Sequence, residues 1–195
     1  MKKLRMILLA LFLVIGVSGT GNATMMTELL IDSDGDGYGD GSIQVGDKLF
    51  SDWSYELLWD DAQTFDLVDL GLIEVVALDA DPLNPGIRFQ NVYSEEPAFF
   101  VNDLLGSEVL DVEFTFKVSV VPGSPYLIDG VSSAVDGSIE DGLGIVLVGD
   151  DISEAGGAWA PWLEWDPLEG TIKLSDSVGF APVSEIWVTK DINLT

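Results

Sequence analysis

A chain of 195 residues with 47% hydrophobic content can bury the core of one domain, and that content excludes intrinsic disorder in spite of a net charge of −26. With 34 acidic residues against 8 basic ones, the protein repels nucleic acid and anionic lipid and favours cations, so no nucleic-acid partner is expected. It contains no Cys and no His, which excludes a disulfide framework, thiolate or imidazole metal sites, and Ser-His or Cys-His nucleophile pairs.

The N-terminus has a basic start at Lys2, Lys3 and Arg5, an apolar run from Met6 to Val17, and small residues from Ser18 to Ala23. This pattern predicts a secretory signal peptide over residues 1–23, cleaved after Ala23. Every acidic residue follows Ala23, so the exported part keeps 5 basic residues against 34 acidic ones, a net charge of −29. No later apolar run is long enough to cross a bilayer, and no stable membrane span is expected after cleavage. Acid enrichment with few lysines also suits a salty medium, a reading that needs no ligand.

Residues 24–42 read as an acidic, Gly-rich loop. Within it, Asp32-Ser-Asp-Gly-Asp-Gly-Tyr-Gly-Asp40 places carboxylates at alternating positions with Gly between. A calcium loop needs that pattern, because oxygen ligands must converge while the backbone turns sharply. Asp32, Asp34, Asp36 and Asp40 fall at loop positions one, three, five and nine, Gly37 at six, and Tyr38 at seven, where the backbone carbonyl is the ligand. The loop resembles those of dockerins and thrombospondin type 3 repeats. Position twelve is Ile43 in place of a bidentate carboxylate, so water or a distant acid such as Asp47 must complete the shell. Affinity for Ca2+ is expected at about 10⁻⁴ to 10⁻³ M, the weak extracellular range. The alternative is an acidic linker between leader and first strand.

From Ile43 onward, short apolar or alternating segments are cut by Gly, Pro, Asp and Ser, which predicts an all-β domain over residues 43–195. Expected strands are Ile43 to Phe50, Trp53 to Trp59, Leu72 to Leu78, Gly86 to Val92, Val109 to Val121, Leu143 to Val148, Gly170 to Leu174 and Ser184 to Leu194. In Val112 to Val120 the residues Val112, Phe114, Phe116, Val118 and Val120 share one face, and Glu113, Thr115, Lys117 and Ser119 the other. The spacing suggests a single antiparallel β-sandwich, jelly-roll-like. Asp60 to Leu70 reads as a loop.

The block Ser42-Ile-Gln-Val-Gly-Asp-Lys-Leu-Phe-Ser-Asp-Trp-Ser-Tyr55 resembles the segment that opens a β-domain in exported bacterial proteins of the PEP-CTERM-associated type. Gly86-Ile-Arg-Phe-Gln90 and Glu185-Ile-Trp-Val-Thr-Lys-Asp-Ile-Asn-Leu194 are similar to an intermediate strand and to the strand before the sorting tail of those proteins. The resemblance implies secretion, a β-sandwich, and association with the cell surface or an exopolysaccharide matrix; it carries no catalytic residue. The sequence stops at Thr195 without Pro-Glu-Pro, an apolar span or a basic tail, so release into the medium or matrix is expected.

Two more acidic segments, Asp79 to Pro85 and Gly149 to Asp151, read as turns that can ligate a cation between strands; Asx-Pro pairs also form such turns unaided. Trp159, Trp162 and Trp165 lie close together between Gly157 and Pro167. If exposed, they would form a stacking platform for sugar rings beside Glu164 and Asp166; if buried, they fill the sandwich. Paired carboxylates such as Glu140 with Asp141, or Glu164 with Asp166, can run glycoside hydrolysis, but so many acids make pairs inevitable. The expected protein is therefore not an enzyme. It reads as a secreted surface or extracellular-matrix protein with structural calcium, the alternative being a carbohydrate-binding module that uses exposed tryptophans.

Overall fold

Short apolar segments become strands in the computed structural model, which describes residues 23–60, 68–79, 81, 83–93, 96–99, 109–135, 145–153, 162–166 and 171–194. In chain order the elements are β1 (Ala23–Met25), the helical turn α1 (Met26–Leu29), β2 (Ile43–Val45), β3 (Lys48–Asp60), β4 (Ile73–Leu78) and β5 (Gly86–Asn91). They continue with β6 (Leu110–Val120), β7 (Ile128–Ala134), β8 (Val146–Ser153), β9 (Trp162–Asp166), β10 (Thr171–Lys173), β11 (Ser175–Val183) and β12 (Glu185–Leu194). The expected signal peptide lies outside the described residues except for Ala23.

A seven-stranded sheet in the order β10-β9-β8-β12-β6-β3-β2 forms one layer, with a three-stranded sheet, β1-β4-β5, and the two-stranded β11-β7 as smaller partners. Every pairing among the described strands is antiparallel, so the fold is the all-β, sandwich-like architecture expected. Strand β6 lies between β3 and β12 and carries the clearest alternation. Leu110, Val112, Phe114, Phe116 and Val118 are buried, while Asp111, Glu113, Thr115, Lys117 and Ser119 are half-buried on the opposite face. Each apolar side chain removed from water in that row contributes about 1.5–3 kcal/mol. Trp53 stacks on Phe116 with centroids 5.0 Å apart, and Phe89 of β5 reaches Phe114 at 5.3 Å, joining the two larger sheets through rings.

The structure departs from the sequence-based expectation in four places. The break expected between Phe50 and Trp53 is a bulge inside one continuous strand, β3, whose register shifts between Ser51 and Ser54. There Asp52 takes a φ of 54°, and the extra residue turns Trp53 into the core. Residues 24–42 are not all loop: Thr24 and Met25 belong to β1, which pairs with β4, and Met26 and Leu29 of α1 are fully buried. Strands β7, β9 and β11 form where no strand was expected; in β11 no residue is fully buried, so its apolar period is weak.

The fourth departure is Gly149 to Asp151, which lies in β8 and not in a cation-binding turn. Asp150 stands opposite Lys190, on the apolar side of the sheet, where Lys190 also faces Phe114 across β6. The Asp150 side chain is only 2% exposed, and its Oδ1 lies 2.5 Å from Lys190 Nζ. Lys190 Nζ also donates to Ser133 Oγ of β7 at 2.9 Å. The pairing satisfies two charges that would otherwise be stranded in the core, and it fastens the two-stranded sheet to the large one. Lys190→Met is expected to cost about 3–5 kcal/mol in urea unfolding, because Asp150 is left buried and unpaired. The double variant Lys190→Met with Asp150→Leu is expected to recover most of that loss.

Candidate metal centre

Asx chemistry builds the loop from Asp32 to Asp40. Asp32 accepts from two backbone N–H groups, Gly35 at 2.6 Å on Oδ1 and Gly37 at 3.0 Å on Oδ2. Asp34 Oδ1 accepts from the Asp36 N–H at 3.2 Å, and Asp36 Oδ1 from the Tyr38 N–H at 2.9 Å. Such bonds reverse the chain in successive short turns. Gly37, at φ +94°, occupies the position where a side chain would be strained. Asp40 Oδ2 accepts from the Ser33 N–H at 2.8 Å and closes the loop; that bond holds the Asp40 carboxyl below the usual range.

Asp32, Asp34 and Asp36 each offer a carboxylate oxygen within 4.8 Å of the others, and all three residues are exposed. Three hard, negatively charged oxygens converging on water-accessible space suit a divalent cation with oxygen preference. Of the other sequence-predicted residues, Asp40 serves the loop closure, and the Tyr38 ring lies against Trp187 with centroids 5.1 Å apart. Ile43, at position twelve, is buried in β2. Asp47 is not the missing ligand. Its carboxylate accepts from Lys48 Nζ at 2.6 Å and Ser124 Oγ at 2.5 Å, bonds that hold its pKa down, so it braces the β2–β3 turn against residue 124.

Both ends of the loop are fixed to the core. Gly39 exchanges backbone hydrogen bonds with Trp53, N to O at 2.7 Å and the reverse at 3.3 Å. Asp40 N–H donates to Ile31 O at 2.8 Å, and Gly41 N–H to Leu29 O at 3.3 Å. The bulge in β3 offers the groups that Gly39 uses, so a local irregularity of the sheet becomes the loop's anchor. These bonds distinguish the segment from a free tether.

The other candidates resolve differently. Asp81 Oδ1 accepts from the Leu83 N–H at 3.0 Å and its carbonyl from the Asn84 N–H at 2.9 Å, a self-sufficient turn. Trp159 lies outside the described residues, as do Glu140, Asp141 and the side chains of Trp162, Trp165 and Asp166. A second acidic group, on the outer face of the large sheet, is not visible as a motif in the sequence because Glu56, Asp111, Glu113 and Asp191 come from three separate strands. The chain matches no family model, no curated protein and no solved structure.

A Cβ at Gly39 would sit 2.1 Å from Leu29 O. Gly39→Ala is therefore expected to destabilise the protein by about 1–3 kcal/mol, read as a lower urea midpoint with an unchanged m-value.

Proposed function

We propose that this is a secreted, non-catalytic protein of the cell surface or extracellular matrix whose first loop is stiffened by Ca2+ bound through Asp32, Asp34 and Asp36. The observation that carries the reading is the convergence of those carboxylates on a loop anchored at both ends. The Tyr38 carbonyl and water would complete the oxygen shell. Export is supported by the basic-then-apolar N-terminus and by the resemblance to PEP-CTERM-associated proteins. Its blocks fold as β2 with the first part of β3, as β5 and as β12. Exopolysaccharide or other surface components are the partners this reading names.

A bound cation would act mechanically. It offsets repulsion among the loop carboxylates and, by binding the folded state, raises stability. For a dissociation constant of about 10⁻⁴ to 10⁻³ M, 10 mM Ca2+ is expected to add about 1.4–2.7 kcal/mol, seen as a higher melting temperature at fixed ionic strength. The double variant Asp34→Asn with Asp36→Asn is expected to abolish that increment. An equal rise with Na+ or Mg2+ at matched ionic strength would identify general screening and sink the calcium reading.

A further inference from the structure

The face of the large sheet opposite the core is lined with carboxylates by strand register alone. Glu56 of β3 stands opposite Glu113 of β6, and Glu113 opposite Asp191 of β12. Asp111, two residues from Glu113 along β6, pairs with Asn193 and so lies diagonal to Asp191. Asp151 of β8 pairs with Thr189 and approaches Asp191 from the other side, while the β8 residue directly opposite Asp191 is Gly149. Adjacent strands run about 4.8 Å apart, and like charges directly opposite one another are destabilising.

The described cations do not relieve this: Lys48 is held by Asp47 at 2.6 Å, and Arg88 belongs to β5 in the three-stranded sheet. Lys117 shares the face but stands opposite Trp187, where Asp52 at 3.3 Å and Glu185 at 4.0 Å engage it. Lys173, at the β10 edge and opposite Glu164 of β9, is held by Asp176 at 2.7 Å. Lys190 precedes Asp191 in sequence but points to the core, onto Asp150. Meanwhile Asp111 Oδ1 and Asp191 Oδ1 are both sealed from solvent, and neither has a hydrogen-bond partner. Two ionised carboxylates held side by side with buried, unpartnered oxygens are costly; one proton between them removes a charge and supplies a donor.

We propose that Asp191 takes up a proton in mildly acidic solution and donates it in a hydrogen bond to Asp111, which makes the outer face of the sheet a proton-uptake device that stabilises the fold as pH falls. In the protonated pair the Asp191 carboxyl donates to Asp111. Burial, then the charge of Asp111, the hydrogen bond that the protonated carboxyl gives to it and the charge of Glu113 push Asp191 up from 3.8 to about 6. Glu113 is raised as well, by burial and by the charges of Glu56, Asp111 and Asp151. A raised folded-state pKa means that, between the ordinary value of 3.8 and about 6, the folded chain holds a proton that the unfolded chain has released. Stability from this source is present in full below the ordinary carboxylate range and is lost as pH rises through about 6.

The test is a carboxyl-carbon NMR titration of the intact protein, joined to urea unfolding across pH 4.5–8. One carboxyl, assigned to Asp191, is expected to titrate near pH 6. Asp191→Asn is expected to delete that step and raise the urea midpoint more at pH 8 than at pH 5. Asp111→Asn is expected to move the Asp191 step to lower pH, whereas Glu185→Gln, on the same face but beside Lys117, is expected to leave it in place. The proposal is overturned if every carboxyl of the unsubstituted protein titrates below pH 5. It is also overturned if millimolar Ca2+ or Mg2+ at constant ionic strength abolishes the step, since a cation would then occupy the place given to the proton.

Discussion

Strand β6 has two faces with opposite demands, and most of the molecule is an answer to them. Its buried row, Leu110 to Val118, requires a covering layer, which β5 supplies through Phe89, while Trp53 of the neighbouring β3 fills in between Phe89 and Phe116. Its other row cannot be covered in the same way, because Asp111, Glu113 and Lys117 hold charges that need water, partners or protons. A two-residue period admits no compromise: shifting the register by one residue would bury the acids and expose the rings. The sandwich and the acidic outer face are therefore consequences of one alternation.

The same constraint explains why Lys190 is conspicuous. It occupies a core-facing position of β12 between Val188 and Ile192, where an apolar residue would continue the pattern. A well-packed hydrophobic pair in place of Lys190 and Asp150 would hold the fold about as well, since the desolvation of two charges consumes most of their attraction. What the ion pair adds is direction. Asp150 and Ser133 approach Lys190 from β8 and β7, so the lysine selects one seating of the small β11-β7 sheet against the large one.

Much of this architecture is legible in the amino-acid order, and where legibility stops the causes are physical. Alternation in β6 and the apolar runs of β4, β5 and β12 mark those strands because each buries one face. Strands β7 and β11 mainly pair with each other and leave much of their surface in water, so composition carries little signal there. The loop of Asp32 to Asp40 is readable because its turns depend on residues a few positions apart; the convergence of Asp32, Asp34 and Asp36 is local chemistry. Its anchoring is not readable, since Gly39 meets Trp53 only after β3 has bulged. Asp47 misleads for a related reason. Proximity in sequence suggests a ligand, yet the turn beside it brings Lys48 and Ser124 closer. Asp150 looks like a turn acid because nothing in its own neighbourhood announces Lys190, forty residues later.

Acidity thus takes three forms in one chain, sorted by environment. The loop carboxylates sit in water, where repulsion is screened and a cation can reach them. Asp150 sits in the core, where only a hydrogen-bonded lysine makes its charge tolerable. Glu113 and Asp191 lie between these limits, where burial and the neighbouring carboxylates push both carboxyls up. Loop and outer face also touch: Tyr38 packs on Trp187, and Lys117 lies over the same indole, 5.9 Å from its centroid, while bonding Asp52 in the β3 bulge. Ordering the loop therefore orders one end of the acidic face. Charge removed at either place would lower the self-repulsion of the whole chain, whose large sheet is closed by apolar packing on one side and charged on the other.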